Sequence, residues 1–344
     1  MRILVISGYP AWDKVSKRLM PSHHLFGIHE LIANYETQGE EVRGILDTDK
    51  IKEGGYVEFY IWKSGKKNIF RQIYELWRKR QDYDLYYDQL NRCSIFLGLL
   101  KKFKIFKTKL ITIMHHPPYN IQLKFSDSDA YIFFNGDYLK MAEKVCSKKK
   151  SRFFVNEWQP DILWYESVRP QTIEKGEVIF IDNGKSKRDR KLLIEAAEDT
   201  KLYIDYAGVE STDSKSYAKS YSIDLKDDIG MVKRLLQYKV VVIPIQENKK
   251  CKIGPLGITS FLDCIALGLP IIASDNVCFK KEIVEHNLGI IYKTSDKKEL
   301  ENALLEMMNP DKYKKYKVAV DKYKEGVSVN IYSNKLLKVI ESIC

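Results

Sequence analysis

Residues 240–275, VVVIPIQENKKCKIGPLGITSFLDCIALGLPIIASD, hold the densest set of reactive groups in this chain. The pattern predicts a buried strand, a polar loop with two glycines, a short helix opening after Gly257 and a second strand. A helix start there offers the backbone N–H groups of Ile258, Thr259 and Ser260 and the positive end of the helix dipole. The two hydroxyls add further donors, so the segment suits a phosphate. Thr259 or Ser260 serving as a plain helix cap accounts for the same residues. Asp263, at i, i+4 from Thr259, places a carboxylate where it can accept hydrogen bonds from a ribose diol, the alternative being a solvated carboxylate.

A second set lies in VIFIDNGKSKRDRKLLIEAAED, residues 178–199, where a strand enters a basic loop before an amphipathic helix. Asn183, Gly184, Lys185, Lys187 and Arg188 stand at the carboxyl end of that strand, where open α/β sheets bind ligands. Two cations there would balance a diphosphate without a metal, whereas an isolated run of this kind is ordinarily solvated. The third set is histidine: four of the six occur as His23–His24 and His115–His116, in the loop beginning at Gly8 after the first strand and in the HHPPYN loop after Met114. Imidazoles at one sheet edge suit sugar hydroxyls and phosphate oxygens, and surface or capping roles are the ordinary alternative. Pro117 and Pro118 stiffen the chain just beyond His116.

These loops need a scaffold, and the apolar runs supply one. Ile3–Ile6 reads as a buried parallel strand, Leu25–Gln38 as a helix closed by Gly39, and Val42–Leu46 as the next strand. Helices over Asn68–Arg80 and Asn91–Lys102 then alternate with strands at Asp84–Tyr87, Leu110–Met114, Tyr131–Phe134 and Phe153–Val155. The stretch from Asn156 to about Gln171 reads as a linker. A second series comes next: strands at Val178–Ile181, Leu202–Tyr206, Val240–Ile245 and Pro270–Ala273, helices at Arg190–Glu198 and Thr259–Leu267, and terminal helices from Pro310 to Cys344. With 344 residues, two domains are expected: 1–165 and 172–330, two Rossmann-like doubly wound parallel sheets facing a cleft, with 331–344 a terminal helix.

LDCIALGLPIIASD resembles the donor-binding domain of GT-B glycosyltransferases of the retaining family called glycosyltransferase family 4. That family shows a glutamate, seven residues, a second glutamate and then "AMAxGxPVIAS". Asp263 stands at the second acidic position, Gly268 and Pro270 match the family glycine and proline, and Pro255 occupies the first acidic position. Glu282, Ile283, Val284 and the run Asn287–Tyr292 match the downstream pattern. Arg188 matches the family's loop lysine and Asn183 takes the place of its arginine, with Lys185 a substitute. NEWQPDILWYE resembles the bridge between the family's two domains, and the HHPP element its sugar-facing histidine loop; the resemblance also implies that the helix at 331–344 crosses back to the first domain.

The resemblance implies transfer of a sugar from a nucleotide diphosphate sugar to an acceptor hydroxyl, with retention, no metal and no separate cofactor. Lys185, Arg188 and the helix start would stabilise the diphosphate, Asp263 would hold the ribose, His115 or His116 would contact the sugar, and Gly8 and His24 would lie on the acceptor side. A glycan or lipid-linked acceptor in cell-surface polysaccharide or glycolipid assembly fits this reading. A sugar-nucleotide epimerase of the same fold and a non-catalytic GT-B scaffold, which Pro255 makes plausible, are the rivals.

Composition narrows the remaining classes. A 44% hydrophobic, 30% charged chain with mean hydropathy −0.34 is neither disordered nor a polytopic membrane protein. Cys93, Cys146, Cys251, Cys264, Cys278 and Cys344 form no CxxC pair, and neither HExxH, GxSxG nor an opening GxGxxG is present. The net charge is +11, and residues 1–165 hold 27 basic against 19 acidic groups. No nucleic-acid-binding signature accompanies the charge, and an anionic lipid surface is the other partner the excess would suit. RQIYELWRKR at 71–80 and GLLKKFKIFKTK at 98–109 mix cations with Tyr74, Leu76 and Trp77. They read either as an exposed amphipathic surface with a core side or as a membrane-facing one, in a cytoplasmic protein peripheral to the inner membrane face.

Overall fold

The computed structural model describes the chain except residues 39–40, 64–67, 119, 174–175, 185–186, 209–216, 223, 225–226 and 248–253. Two compact units emerge: Met1–Gln159 together with Ser328–Cys344, and Pro160–Val327.

In the first unit the order is β1 (Arg2–Ser7), α1 (Ala11–Ser16), β2 (Ile32–Gln38), β3 (Glu41–Leu46), β4 (Tyr56–Ile61), α2 (Ile69–Arg78), β5 (Leu85–Asp88), α3 (Ser94–Lys102), β6 (Lys109–Met114), α4 (Asn120–Phe125), β7 (Ala130–Phe133), α5 (Gly136–Val145) and β8 (Phe153–Val155). They build one sheet ordered β2-β3-β4-β1-β5-β6-β7-β8. From β4 to β8 every neighbouring pair is parallel, and the apolar runs of β1, β5, β6 and β7 are buried as two-sided coverage by helices demands.

The edge departs from the sequence reading. Leu25–Gln38 is not a helix: two 3-10 turns, Ser22–Leu25 and His29–Leu31, precede strand β2, which pairs antiparallel with β3. Leu25, Ile28 and Leu31 lie three residues apart, a spacing that 3-10 turns use as well as α-helices, and all three are fully buried. Left-handed backbone at Phe26 (φ 48°) and Gly27 (φ 78°) prevents a continuous helix. Gly39, read as a helix stop, lies outside the described residues. β4 is an element the sequence reading lacks.

The second unit runs α6 (Ile162–Ser167), β9 (Phe180–Asp182), α7 (Arg190–Thr200), β10 (Ile204–Ala207), β11 (Ala218–Tyr221), α8 (Asp228–Leu235), β12 (Val240–Ile243), α9 (Ile258–Leu267), β13 (Ile271–Ser274), α10 (Lys280–Glu285), β14 (Gly289–Tyr292), α11 (Lys297–Met308) and α12 (Pro310–Glu325). Its sheet, β11-β10-β9-β12-β13-β14, is parallel throughout. Chain order reverses between β9 and β12, which makes their carboxyl ends the switch point where open α/β sheets bind ligands. The expected linker instead contains α6: Asp161 accepts from the Trp164 amide at 3.1 Å, and Trp164 and Tyr165 are buried. The last helix, α13 (Val329–Ile343), belongs to the first unit. There the Ser333 hydroxyl donates to Gly27 O at 2.8 Å and Asn156 Nδ2 to Tyr332 O at 2.9 Å.

Candidate functional site

At the switch point of the second unit, the loops after β9 and β12 are tied together. The Asp189 amide donates to Pro244 O at 2.6 Å and the Gln246 amide to Lys187 O at 2.9 Å. These bonds carry Arg188 inward. It is not part of a solvated basic run: only 6% exposed, its Nε donates to Asp182 Oδ1 at 3.1 Å and its Nη2 to Ser260 Oγ at 3.1 Å. The guanidinium lies against Gly184, where a Cβ would stand 2.0 Å from Arg188 Cζ, so only glycine leaves it room. Asp182 is fully buried and also accepts from the Gly184 amide at 2.9 Å. Burial pushes its carboxyl upward in pKa, and the Arg188 charge opposes that shift.

α9 opens at Gly257, whose φ of 82° is left-handed and whose Cβ would stand 2.6 Å from Ile243 Cγ2. This glycine is therefore fixed by backbone and packing together. No side chain caps the helix. The Ile258 amide bonds to Pro255 O at 3.2 Å, leaving the Thr259 and Ser260 amides as the donors at the helix start. Thr259 is exposed whereas Ser260 is buried, so the two hydroxyls divide: one faces solvent and the other meets Arg188.

Asp263 is 5% exposed and does not share Thr259's solvent environment. Tyr165 Oη, from α6, donates to its Oδ1, and Asn183 Nδ2 stands 3.5 Å from its Oδ2. Burial lifts its pKa to about 7, the Tyr165 hydroxyl working against that and the nearby Asp228 charge adding to it. Asp182 Oδ2 and Asn183 Oδ1 are buried acceptors with no partner among the described residues. Lys185 lies outside those residues.

In the first unit, Gly8, Gln89, His115 and Phe134 follow β1, β5, β6 and β7, and so gather at one sheet edge. His115 Nε2 donates to Gln89 O, which leaves Nδ1 as the acceptor of a neutral ring. Burial depresses its pKa to about 4, with the Gln89 carbonyl opposing. The ring meets Phe26 and Phe134 edge-on at 5.1 and 5.0 Å, and both phenylalanines contact Trp158. Trp158 Nε1 donates to His23 O at 2.8 Å and its ring meets His24 at 6.0 Å, so His24 and His115 belong to one aromatic cluster. Tyr9 Oη stands 3.1 Å from His24 Nδ1. His116 is exposed, as is Gly8.

Tyr165, Asp182, Gln89 and Trp158 are not singled out by sequence reasoning. Asp182 carries one signal, a carboxylate ending an otherwise apolar strand; Trp158 and Tyr165 lie in NEWQPDILWYE, where the resemblance marks a bridge and gives neither side chain a role. Among the described residues, no group of three His, Cys, Asp or Glu side chains is placed to hold a metal ion.

Two Rossmann-like units in tandem, the second wholly parallel, define the GT-B fold. No family model matches the sequence, and no curated protein matches it. Solved structures do match in three dimensions. HepE of Anabaena, in complex with UDP and glucose, is 13% identical, with 99% of this chain and 100% of that chain covered at a TM-score of 0.67. A glycosyltransferase from Rickettsia africae ESF-5 is 13% identical, with 99% and 98% covered and a TM-score of 0.68. The lipopolysaccharide outer core galactosyltransferase WaaB, in its apo form, is 12% identical, with 99% of each chain covered and a TM-score of 0.65.

Proposed function

We propose that this chain is a glycosyltransferase that moves a sugar from a nucleoside diphosphate sugar to an acceptor hydroxyl. The observation that carries this reading is the second unit's switch point, where the start of α9, Arg188 and Asp263 meet. The Thr259 and Ser260 amides and the α9 dipole meet the diphosphate and stabilise the charge that grows on it as the glycosidic bond breaks. Arg188 is already paired with Asp182, so it acts mainly by holding Ser260 and the loop. Net positive charge then falls to Lys185 and to Lys187, which is exposed. Asp263, aimed by Tyr165, accepts from the ribose diol, and His115 accepts a sugar hydroxyl at Nδ1. Retention, independence from metal, and a glycan or lipid-linked acceptor on the cytoplasmic side complete the proposal.

The test is a thermal-shift panel of UDP, GDP and their sugars on the full chain, followed by product analysis with and without acceptor. A nucleoside diphosphate should raise the melting midpoint, and nucleotide release should require acceptor. Donor altered without acceptor would instead mark an epimerase. A chain that no nucleotide stabilises would be a scaffold.

A further inference from the structure

The two basic segments of the first unit are neighbours. α2 and α3 pack side by side on the same sheet face: Leu76, Trp77, Leu97 and Leu100 join one cluster with Leu4, Ile6, Tyr86 and Leu110. Their inward sides are therefore already satisfied, Leu76 and Leu97 being fully buried. The two segments nevertheless also expose large apolar side chains. Phe70 is 80% exposed and Tyr74, one turn on, 57%; Phe103 and Ile105, just past α3, are 66% and 49% exposed. Core packing accounts for none of these four.

Charge says what covers them. Around the aromatic residues stand exposed Arg71, Arg78, Lys79, Lys102, Lys104 and Lys107. Residues 69–80 and 94–107 contain a single carboxylate, Glu75, which Arg71 Nε and Tyr60 Oη already engage at 2.9 Å each. The Arg80 guanidinium lies 4.2 Å over the Trp77 ring, an arrangement that keeps a cation at the margin of an apolar surface. A protein partner would need matched carboxylates and a defined groove. A bilayer needs only large apolar side chains that penetrate and cations that stay among headgroups.

We propose that the outward face of α2 and α3 docks on an anionic lipid bilayer, with Phe70, Tyr74, Phe103 and Ile105 entering the headgroup region and the surrounding lysines and arginines pairing with lipid phosphates. This separates two residues the sequence treats alike: Tyr74 belongs to the docking face and Leu76 to the core. The surface shares no residue with the nucleotide-sugar site, so it is tested separately from it.

The experiment is sedimentation of the full chain with phosphatidylcholine vesicles and with vesicles containing 30% phosphatidylglycerol, at low and high salt. Wild type should partition onto the anionic vesicles at low salt at least tenfold better than onto neutral ones. Lys102→Glu with Lys104→Glu should weaken that by roughly 25-fold or more, each lost cation being worth about a factor of five. Phe70→Ser with Phe103→Ser should weaken it roughly tenfold, from lost apolar insertion. Both pairs are exposed, so the circular-dichroism melting midpoint should stay at the wild-type value. Leu163→Ser, at a 71% exposed leucine of the second unit, serves as control and should bind as wild type. Equal binding to both vesicle types, absence of binding, or full binding by the Phe70→Ser/Phe103→Ser protein would each overturn the proposal.

Discussion

Replacing Asp263 by asparagine should make the protein more stable at pH 8 and not at pH 5. Burial raises the Asp263 pKa to about 7, against about 3.9 for an unfolded aspartate. An acid that holds its proton more tightly when folded contributes stability that is complete below pH 4 and drains away as pH rises through 7. At 1.36 kcal/mol per unit the whole window is worth roughly 4 kcal/mol, of which about 2.5 kcal/mol falls between pH 5 and pH 8. Asparagine cannot ionise and loses none of this. Its carbonyl still accepts from Tyr165, and its amide finds the unpartnered Asn183 Oδ1 once that side chain turns over. The assay is urea unfolding of wild type and Asp263→Asn at pH 5, 6, 7 and 8, followed by far-ultraviolet circular dichroism. The stability difference should move by about 2.5 kcal/mol in the variant's favour between pH 5 and pH 8. A pH-independent difference, or one moving the other way, would refute the assignment of a buried, proton-holding carboxyl. If Asp263 also binds ribose, the stabilised variant will have lost nucleotide affinity.

Arg188→Met should cost roughly 3–5 kcal/mol in chemical denaturation, because it strands the fully buried Asp182 carboxylate. Adding Asp182→Asn should recover much of that, and a single-variant loss under about 1 kcal/mol would contradict a buried pair. Gly257→Ala should lower stability by roughly 1–3 kcal/mol, since both its φ of 82° and Ile243 oppose a Cβ; an unchanged melting midpoint would count against that strain. His115, depressed to about 4, should show a flat NMR ring-proton shift from pH 5.5 to 8. Its contribution to stability is intact above the ordinary histidine range and lost as pH falls towards 4. A titration midpoint near 6.5 would show that its ring is not desolvated.

Long apolar runs are legible in the sequence because a strand covered on both faces has no polar positions to disguise it; β1, β6, β12 and β13 fall where the composition puts them. Leu25, Ile28 and Leu31 mislead, since a three-residue spacing does not separate 3-10 turns from the flank of an α-helix, and only the left-handed Phe26–Gly27 step decides between them. At the second unit's site, Gly257, Ser260, Asp263, Asn183 and Arg188 are all legible from motif and residue type, and they converge. Their partners are not, because Asp182–Arg188 and Tyr165–Asp263 are pairings between elements, and spacing along the chain carries no record of which loop folds onto which. Whether a basic residue is solvated or buried is equally invisible: Arg188 and Lys187 are neighbours in sequence and opposite in environment.

The first unit is discontinuous, and that has a consequence for biosynthesis. Gly27 has no room for a side chain because Tyr332 of α13 lies 2.7 Å from where its Cβ would be, and Asn156 bonds to the same tyrosine's carbonyl. Residues 160–327 thus leave the ribosome with everything their own core needs, while residues 1–159, made earlier, must wait for the final helix to cover them. The unit that starts first is finished last. Until then the seat of Tyr332, Leu336 and Ile340 lacks its cover, and a nascent chain halted before residue 328 would carry one completed unit and one incomplete one.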